Sequence, residues 1–243
     1  MTSANTSSSS LLRNPWLACL LLGLAVLAFG PYLLAVFPQT GAGYNSNLGT
    51  PVFAFEFART QADLLAIFGD PNDALRAERI AAMDTGHYLD FIFAVLYSGF
   101  LAYFFVGIRT VVADPIYRWV TVLCVVAGAA DVVENLILLD ITRDIEQAPL
   151  LPYLIIPVQI KFICLTIATI AACWLFISRV AVHQGKWYWR GPGALGLVTV
   201  LLVIPGLVMP TQFGYLVGGG YTVGWVTILV YAAVQVWSQR SRA

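Results

Sequence analysis

The chain has 243 residues, 59% of them hydrophobic and 11% charged, with 13 Lys plus Arg balanced by 13 Asp plus Glu. Soluble globular domains carry about a quarter of their residues as charged side chains, so this composition excludes that class. The absence of net charge leaves no basic field to attract nucleic acid, and the lipid bilayer is the expected partner.

Residues 1–15, MTSANTSSSSLLRNP, are polar and Ser-rich and read as a disordered tail, while 16–243 reads as a single membrane domain. Apolar runs close to the roughly 20 residues needed to cross a bilayer place six spans at about 16–37, 86–108, 118–140, 151–178, 193–210 and 214–237. The fold class is therefore an all-α integral membrane protein, a six-span helical bundle. The first span is expected to be a retained helix, kinked near Pro31, because its apolar stretch is long and AVFPQTGAG offers no small-x-small cleavage site.

Between spans one and two, residues 38–85 form the one long loop, with six carboxylates against three arginines. FEFARTQADLLAIFG spaces Phe57, Leu64, Leu65 and Phe68 as a helix would, and then meets Gly69, a helix stop. DPNDALRAERIAAM next offers Asp70 as an N-cap with Pro71 at the first helical position. Two short amphipathic helices over the outer mouth of the bundle are expected, with helices resting on the lipid surface as the alternative.

Orientation follows from the basic residues on each side. With the N-terminus inside, eight (Arg13, Arg109, Arg118, Arg179, Lys186, Arg190, Arg240, Arg242) lie in the cytoplasm against four outside (Arg59, Arg76, Arg79, Arg143). Both termini are thus expected in the cytoplasm, with the acidic loop outside. Spans five and six are joined by little more than PTQFG and should form a tight hairpin. Gly214 and Gly218, then Gly220 and Gly224, have the small-xxx-small spacing that permits close helix approach, first within the bundle and second as a homo-oligomer face.

Several motifs carry nothing. GPGALG (191–196) matches the dinucleotide-binding spacing, yet it follows no strand and opens an apolar span. The adjoining Trp187, Tyr188, Trp189 and Arg190 resemble an interfacial aromatic belt with a basic anchor. Cys19, Cys124, Cys164 and Cys173 sit in apolar runs without metal-type spacing, and the histidines are His87 and His183. Asn5-Thr6-Ser7 has the glycosylation pattern but lies on the predicted cytoplasmic tail. No cofactor or metal is implied.

What remains is a set of ionisable groups inside the spans, where each costs about 2.5–3.5 kcal/mol on insertion scales and needs a partner. These are Asp90 in span two, Asp131 and Glu134 in span three, and Lys161 in span four. Asp131, Glu134 and Asn135 share a helix face at i, i+3 and i+4, as do His87, Asp90 and Tyr97 at i, i+3 and i+10. A rise of 1.5 Å per residue puts Asp131 and Glu134 roughly 20 and 24 Å up their span, and Asp90 and Lys161 roughly 27 Å up theirs. Asp90, Tyr97, Asp131, Glu134, Asn135 and Lys161 are therefore expected to meet at one level in the outer half of the membrane. Gln159 is a further expected donor. Three carboxylates against one lysine leave a negative excess, which a low-dielectric interior resists by holding a proton or admitting water or a cation. A chelating stripe of Asp84, His87 and Asp90 is disfavoured, because steps of three swing around the helix.

HYLDFIFAVLYSGFLAYF, ADVVENLILL and QIKFICL, after FEFARTQADLLAIFG, resemble a recurring pattern in uncharacterised bacterial multi-pass membrane proteins. The resemblance covers about residues 50 to 180 and implies a bacterial inner membrane; it supplies no activity. Three functions fit the residues. The first is a proton- or cation-linked small-molecule or transport role, the second an enzyme acting on a lipid or isoprenoid, and the third a non-catalytic assembly protein in which the cluster only sets helix register.

Overall fold

The chain enters its first span at Asn14, whose side-chain oxygen accepts hydrogen bonds from the backbone N–H groups of Trp16 (3.1 Å) and Leu17 (3.2 Å). Pro15 follows at the first helical position, where its missing N–H costs nothing. The computed structural model describes residues 14–181 and 185–241. The expected tail over residues 1–13 with Asn5-Thr6-Ser7, together with Arg13, His183 and Arg242, lies outside the described residues.

Helix α1 (Pro15–Val36) continues through Pro31 as one helix. Two short helices follow in the loop, α2 (Pro51–Glu56) and α3 (Gln61–Phe68). The second span is α4 (Arg76–Ile108) and the third α5 (Ile116–Arg143). The fourth begins with a 3₁₀ turn at Leu151–Tyr153, runs as α6 (Ile155–Leu175) and ends in a π-helical turn at Phe176–Val180. α7 (Arg190–Leu201) and α8 (Val203–Val208) make the fifth, and α9 (Pro210–Phe213) leads into the sixth, α10 (Tyr215–Gly220) and α11 (Thr222–Arg240). Six helical segments are thus long and apolar enough to cross a membrane, and the molecule is an all-α six-span bundle.

Each span packs on the next in chain order, and the sixth returns to the first, so the bundle is a closed ring. Asn14 Nδ2 donates to Gln239 Oε1 at 2.7 Å and joins the ring at the end that carries the termini. That end is filled by aromatics: Trp16 meets Tyr231 edge-on at 5.4 Å, Trp189 meets Tyr231 at 5.1 Å, and Phe104 and Phe176 close the remaining space. The opposite end holds the long loop.

The loop differs from expectation at two boundaries. FEFARTQADLLAIFG is two helices, because Thr60 forms a capping box with Asp63 and starts a new helix there: Asp63 N donates to Thr60 Oγ1 at 3.2 Å, and Thr60 N to Asp63 Oδ2 at 2.8 Å. Gly69, at φ 96°, ends it as expected. Asp70 is not an N-cap. Its carboxylate accepts from Asn72 N and that of Asp73 from Leu75 N, so both close local turns. Beyond them, with no proline to interrupt it, α4 runs unbroken from Arg76, which absorbs the second expected loop helix into span two. Arg79 fastens this corner by donating to Phe68 O (3.0 Å) and Asp73 Oδ2 (2.8 Å), and Arg76 pairs with Glu146 of the next loop. Both loop helices are packed against the bundle, with Phe55, Leu64, Ile67 and Phe68 fully buried.

The hairpin glycines make contacts within the chain. A Cβ on Gly214 would meet Pro210 O and Leu48, on Gly218 the Phe53 ring, on Gly220 Val203, and on Gly224 Thr169. Gly224 also faces Gly196 of α7, where a Cβ would stand 2.8 Å from Cys173 Sγ and 3.1 Å from Gly224 Cα. Gly196→Val is therefore expected to lower stability by about 1–3 kcal/mol through overpacking, read as a lower Tm in detergent. Gly219→Ala, with nothing within 4 Å of the added carbon, serves as the neutral control. Equal stability of the two variants would show that the α7–α11 approach does not set the packing.

Candidate functional site

At 1.5 Å per residue and 100° per step, α5 presents Asp131, Glu134 and Asn135 to the ring interior, and all three are buried. Lys161 of α6 reaches across to them. Its Nζ lies 2.8 Å from Glu134 Oε1 and 3.1 Å from Asp131 Oδ1, and it stands 4.6 Å from the centroid of the Phe162 ring. From α4, the Tyr97 hydroxyl donates to Asp131 Oδ2 at 2.8 Å. Asn135 Nδ2 donates to Asp90 Oδ2 at 2.9 Å, which leaves its carbonyl oxygen for His87 Nδ1 at 2.9 Å. His87 therefore carries its proton on Nδ1. Its Nε2 is buried without a partner, with the rings of Phe37 and Phe55 beside it.

Tyr97, Asp131, Glu134 and Lys161 thus form one bonded group across three helices, and Asn135, Asp90 and His87 form a second between α4 and α5. Gln159 lies outside both. Asp84 accepts instead from Thr142 Oγ1 at 2.7 Å, away from the partners of His87 and Asp90. Among the described residues no group of three His, Cys, Asp or Glu side chains could hold a metal ion.

One member escaped the sequence reading. Glu56, the last residue of α2, turns inward and places Oε1 3.3 Å from Lys161 Nζ, so a third carboxylate, from outside the spans, completes the lysine's shell. In the sequence it counted only as one of six acidic loop residues. The available sign was its setting between Phe55 and Phe57, since two large apolar neighbours pull the intervening side chain out of water as they bury themselves. With Asp90, four carboxylates now stand near one lysine. Glu56 Oε2 and Glu134 Oε2 are buried with no donor facing them. Burial raises the Glu56 carboxyl above the ordinary carboxylate range; Lys161 opposes the rise and Asp131 adds to it.

The cluster forms one wall of a cavity of about 520 Å³, to which Glu56, Asp90, Asp131 and Lys161 contribute. The other walls are apolar and aromatic, with Tyr97 and Trp225 stacked at 5.9 Å among them. The cavity lies between α1 and the last span, which line it with residues from 23–37 and 215–229. At Gly23 they still touch, since a Cβ there would meet Leu229 and Phe100 at 2.7 Å. Beyond it, Leu27 and Leu34 of α1 and Val226 of α11 line the space while remaining 55%, 51% and 43% exposed, so the cavity opens sideways between the helices. Overhead, Asn45 Nδ2 donates to Thr211 O at 2.8 Å and ties the loop to the tip of the last hairpin. A space that is roofed above, plugged by aromatics below and open at the side faces the lipid.

No protein-family model, curated protein or solved structure matches this chain. The reading of the site rests on its own geometry.

Two predictions follow from the lysine's shell. Lys161→Met strands three buried carboxylates and is expected to cost about 3–5 kcal/mol, seen as a large fall in Tm. Adding Glu134→Gln should recover only part of it, because Asp131 and Glu56 stay unpaired; full recovery would reduce the shell to a simple ion pair. The second concerns pH. A carboxyl whose folded pKa is raised binds its proton more tightly folded than unfolded, so its contribution to stability is present in acid and lost as pH climbs through the folded value. Glu56→Gln should accordingly flatten the decline of Tm above the ordinary carboxylate range, and an unchanged slope would show that Glu56 does not hold a proton there.

Proposed function

We propose that this multi-pass membrane protein is a proton-linked carrier for a lipid-soluble small molecule, with the Glu56–Asp131–Glu134–Lys161 cluster as its proton-holding element. The observation that supports this reading is the coincidence of a laterally open, largely apolar cavity with a wall of surplus carboxylates. Surplus negative charge in a low-dielectric site is relieved by a proton or by a bound cation, and exchange between the two links occupancy to pH. With both termini in the cytoplasm of a bacterial inner membrane, the cavity would draw on the outer leaflet.

A second reading, an enzyme acting on a lipid or isoprenoid, is favoured by the Tyr97–Asp131 hydrogen bond at the cavity wall, a hydroxyl and carboxylate pair suited to acid–base work. It predicts an altered lipid profile on deletion, restored by wild type and not by Asp131→Asn.

The carrier reading is tested in proteoliposomes with an entrapped pH dye and a panel of fluorescent lipid-soluble molecules of positive, neutral and negative charge. Uptake of one charge class, driven by an imposed pH gradient and abolished in monodisperse Asp131→Asn and Glu134→Gln, is the expected result. Uptake that persists in both variants would remove the cluster from the mechanism, and no uptake of any class would overturn the carrier.

A further inference from the structure

We infer that the molecule held in the cavity is an amphiphile whose head is an organic ammonium and whose tail lies along the lateral opening. This rests on the carrier reading and names the ligand class of the same site.

Charge is the first ground. Glu56, Asp90 and Asp131 are on the cavity wall with Glu134 immediately behind, and Lys161 is the cation among them. The ammonium group of Lys161 has three N–H donors, and three carboxylate oxygens stand within 3.3 Å of it. An anionic head entering this space would find that lysine's donors already engaged and a row of carboxylates opposing it. A neutral hydroxyl would leave the charge excess as it was.

The second ground is independent of the count. Glu56 is 6% exposed, lines the cavity, and its Oε2 has no partner. Once the carboxyl proton has left, a buried acceptor bare on the cavity wall is a place for a donor supplied from the cavity. An ammonium supplies the donor and the charge together.

Aromatic rings are the third. Tyr97 and Trp225 stack at 5.9 Å, Tyr221 and Trp225 meet at the same distance, and Phe93 and Phe162 complete that side of the space. Aromatic faces attract cations when water is excluded, and Lys161 over Phe162 already uses that attraction in the same wall. An inorganic divalent ion fits less well, because no group of three described His, Cys, Asp or Glu side chains could hold one, and the three carboxylates that converge do so on Lys161. The exposed apolar rim at Leu27, Leu34 and Val226 offers the tail continuity with the surrounding lipid.

Binding then exchanges one positive charge for another: an ammonium enters and a carboxyl proton leaves. The groups facing Glu56 that share this balance are Lys161 of α6, Asp131 and Glu134 of α5, Asp90 of α4 and Tyr221, just before α11. Tyr97 of α4 faces Asp131, and Arg59, beyond the end of α2, faces Glu134. An alkylammonium stays protonated in water below about pH 10. Over the neutral range only the site changes its proton content, and affinity rises with pH, by up to about tenfold per unit for one proton displaced.

The test uses the full-length chain in lipid nanodiscs with decylammonium, decanol and decanoate as probes, matched in tail and differing in head. Isothermal titration calorimetry in two buffers of different ionisation enthalpy reads both affinity and proton release. Decylammonium is expected to bind about tenfold or more tighter than decanol, a margin of the size of a desolvated cation–π contact, and to release one proton. Decanoate is expected not to bind. Asp131→Asn and, should that variant fail to fold, Asp90→Asn should reduce decylammonium binding selectively. Val226→Trp, which fills the lateral opening and touches no charge, should abolish binding. Binding of decanol or decanoate equal to or tighter than decylammonium, still lost in Val226→Trp, would overturn the ammonium class and leave the carrier reading standing. No saturable binding of any of the three to folded wild type would overturn both.

Discussion

A protonated lysine cannot lie inside a lipid-embedded bundle unless its neighbours replace the water it has lost, and the architecture around Lys161 answers that requirement. Its long side chain reaches from α6 to two carboxylates on α5 and a third on α2, and one of them is held in turn by Tyr97 of α4. Each bond fixes the rotation of one helix about its axis and its height relative to the others. In lipid, apolar packing discriminates poorly between registers, because a side chain facing the membrane is as well solvated as one facing a neighbour. A misplaced charge is penalised by several kcal/mol, so the polar contacts choose the register that apolar packing leaves open.

The same requirement explains the loop. α2 is too short to be stable alone, yet Pro51, Val52, Ala54, Phe55 and Glu56 are all buried. Phe55 meets Phe68 of α3 edge-on at 5.0 Å, and Phe57 stacks on Phe162 at 6.1 Å, directly beside Lys161. Apolar neighbours bring the segment down, and the Glu56–Lys161 contact sets how far. A loop that would otherwise lie in water becomes a wall of the interior. It overfills the lysine with negative charge, and this surplus gives the cluster its chemistry.

The two ends of the ring make the contrast plain. Toward the termini, Trp16, Phe104, Phe176, Trp189 and Tyr231 interlock and leave no room. Toward the loop, residues of the first and last spans beyond Gly23, among them Gly30, Gly218 and Thr222, line the cavity instead. An interior that is packed at one end and hollow at the other, with its charges at the hollow end, has the form of a site rather than a strut.

How much of this was legible from the sequence depended on the distance over which each feature is decided. The six spans, the shared face of Asp131, Glu134 and Asn135, and the common level of Asp90 and Lys161 follow from helix period and rise, which are local and nearly invariant, and they needed only the sequence. The break at Thr60 and the unbroken start of α4 at Arg76 were written in it too, as a capping box and the absence of a breaker, but apolar periodicity and Asp70-Pro71 competed with them. Glu56 was different in kind. Phe55 and Phe57 beside it hint at burial, but nothing local says where the carboxylate will point, because that outcome depends on Lys161, more than a hundred residues away, and on rings from other helices. The lateral opening belongs with it, since a cavity is where side chains fail to meet. The sequence by itself determined the lipid-embedded class, the helices and the level of the buried charges, because hydrophobicity and helix geometry act residue by residue. Only the tertiary structure decided the lysine's third carboxylate, the negative surplus and the side on which the site opens, because those arise from contacts between segments far apart in the chain.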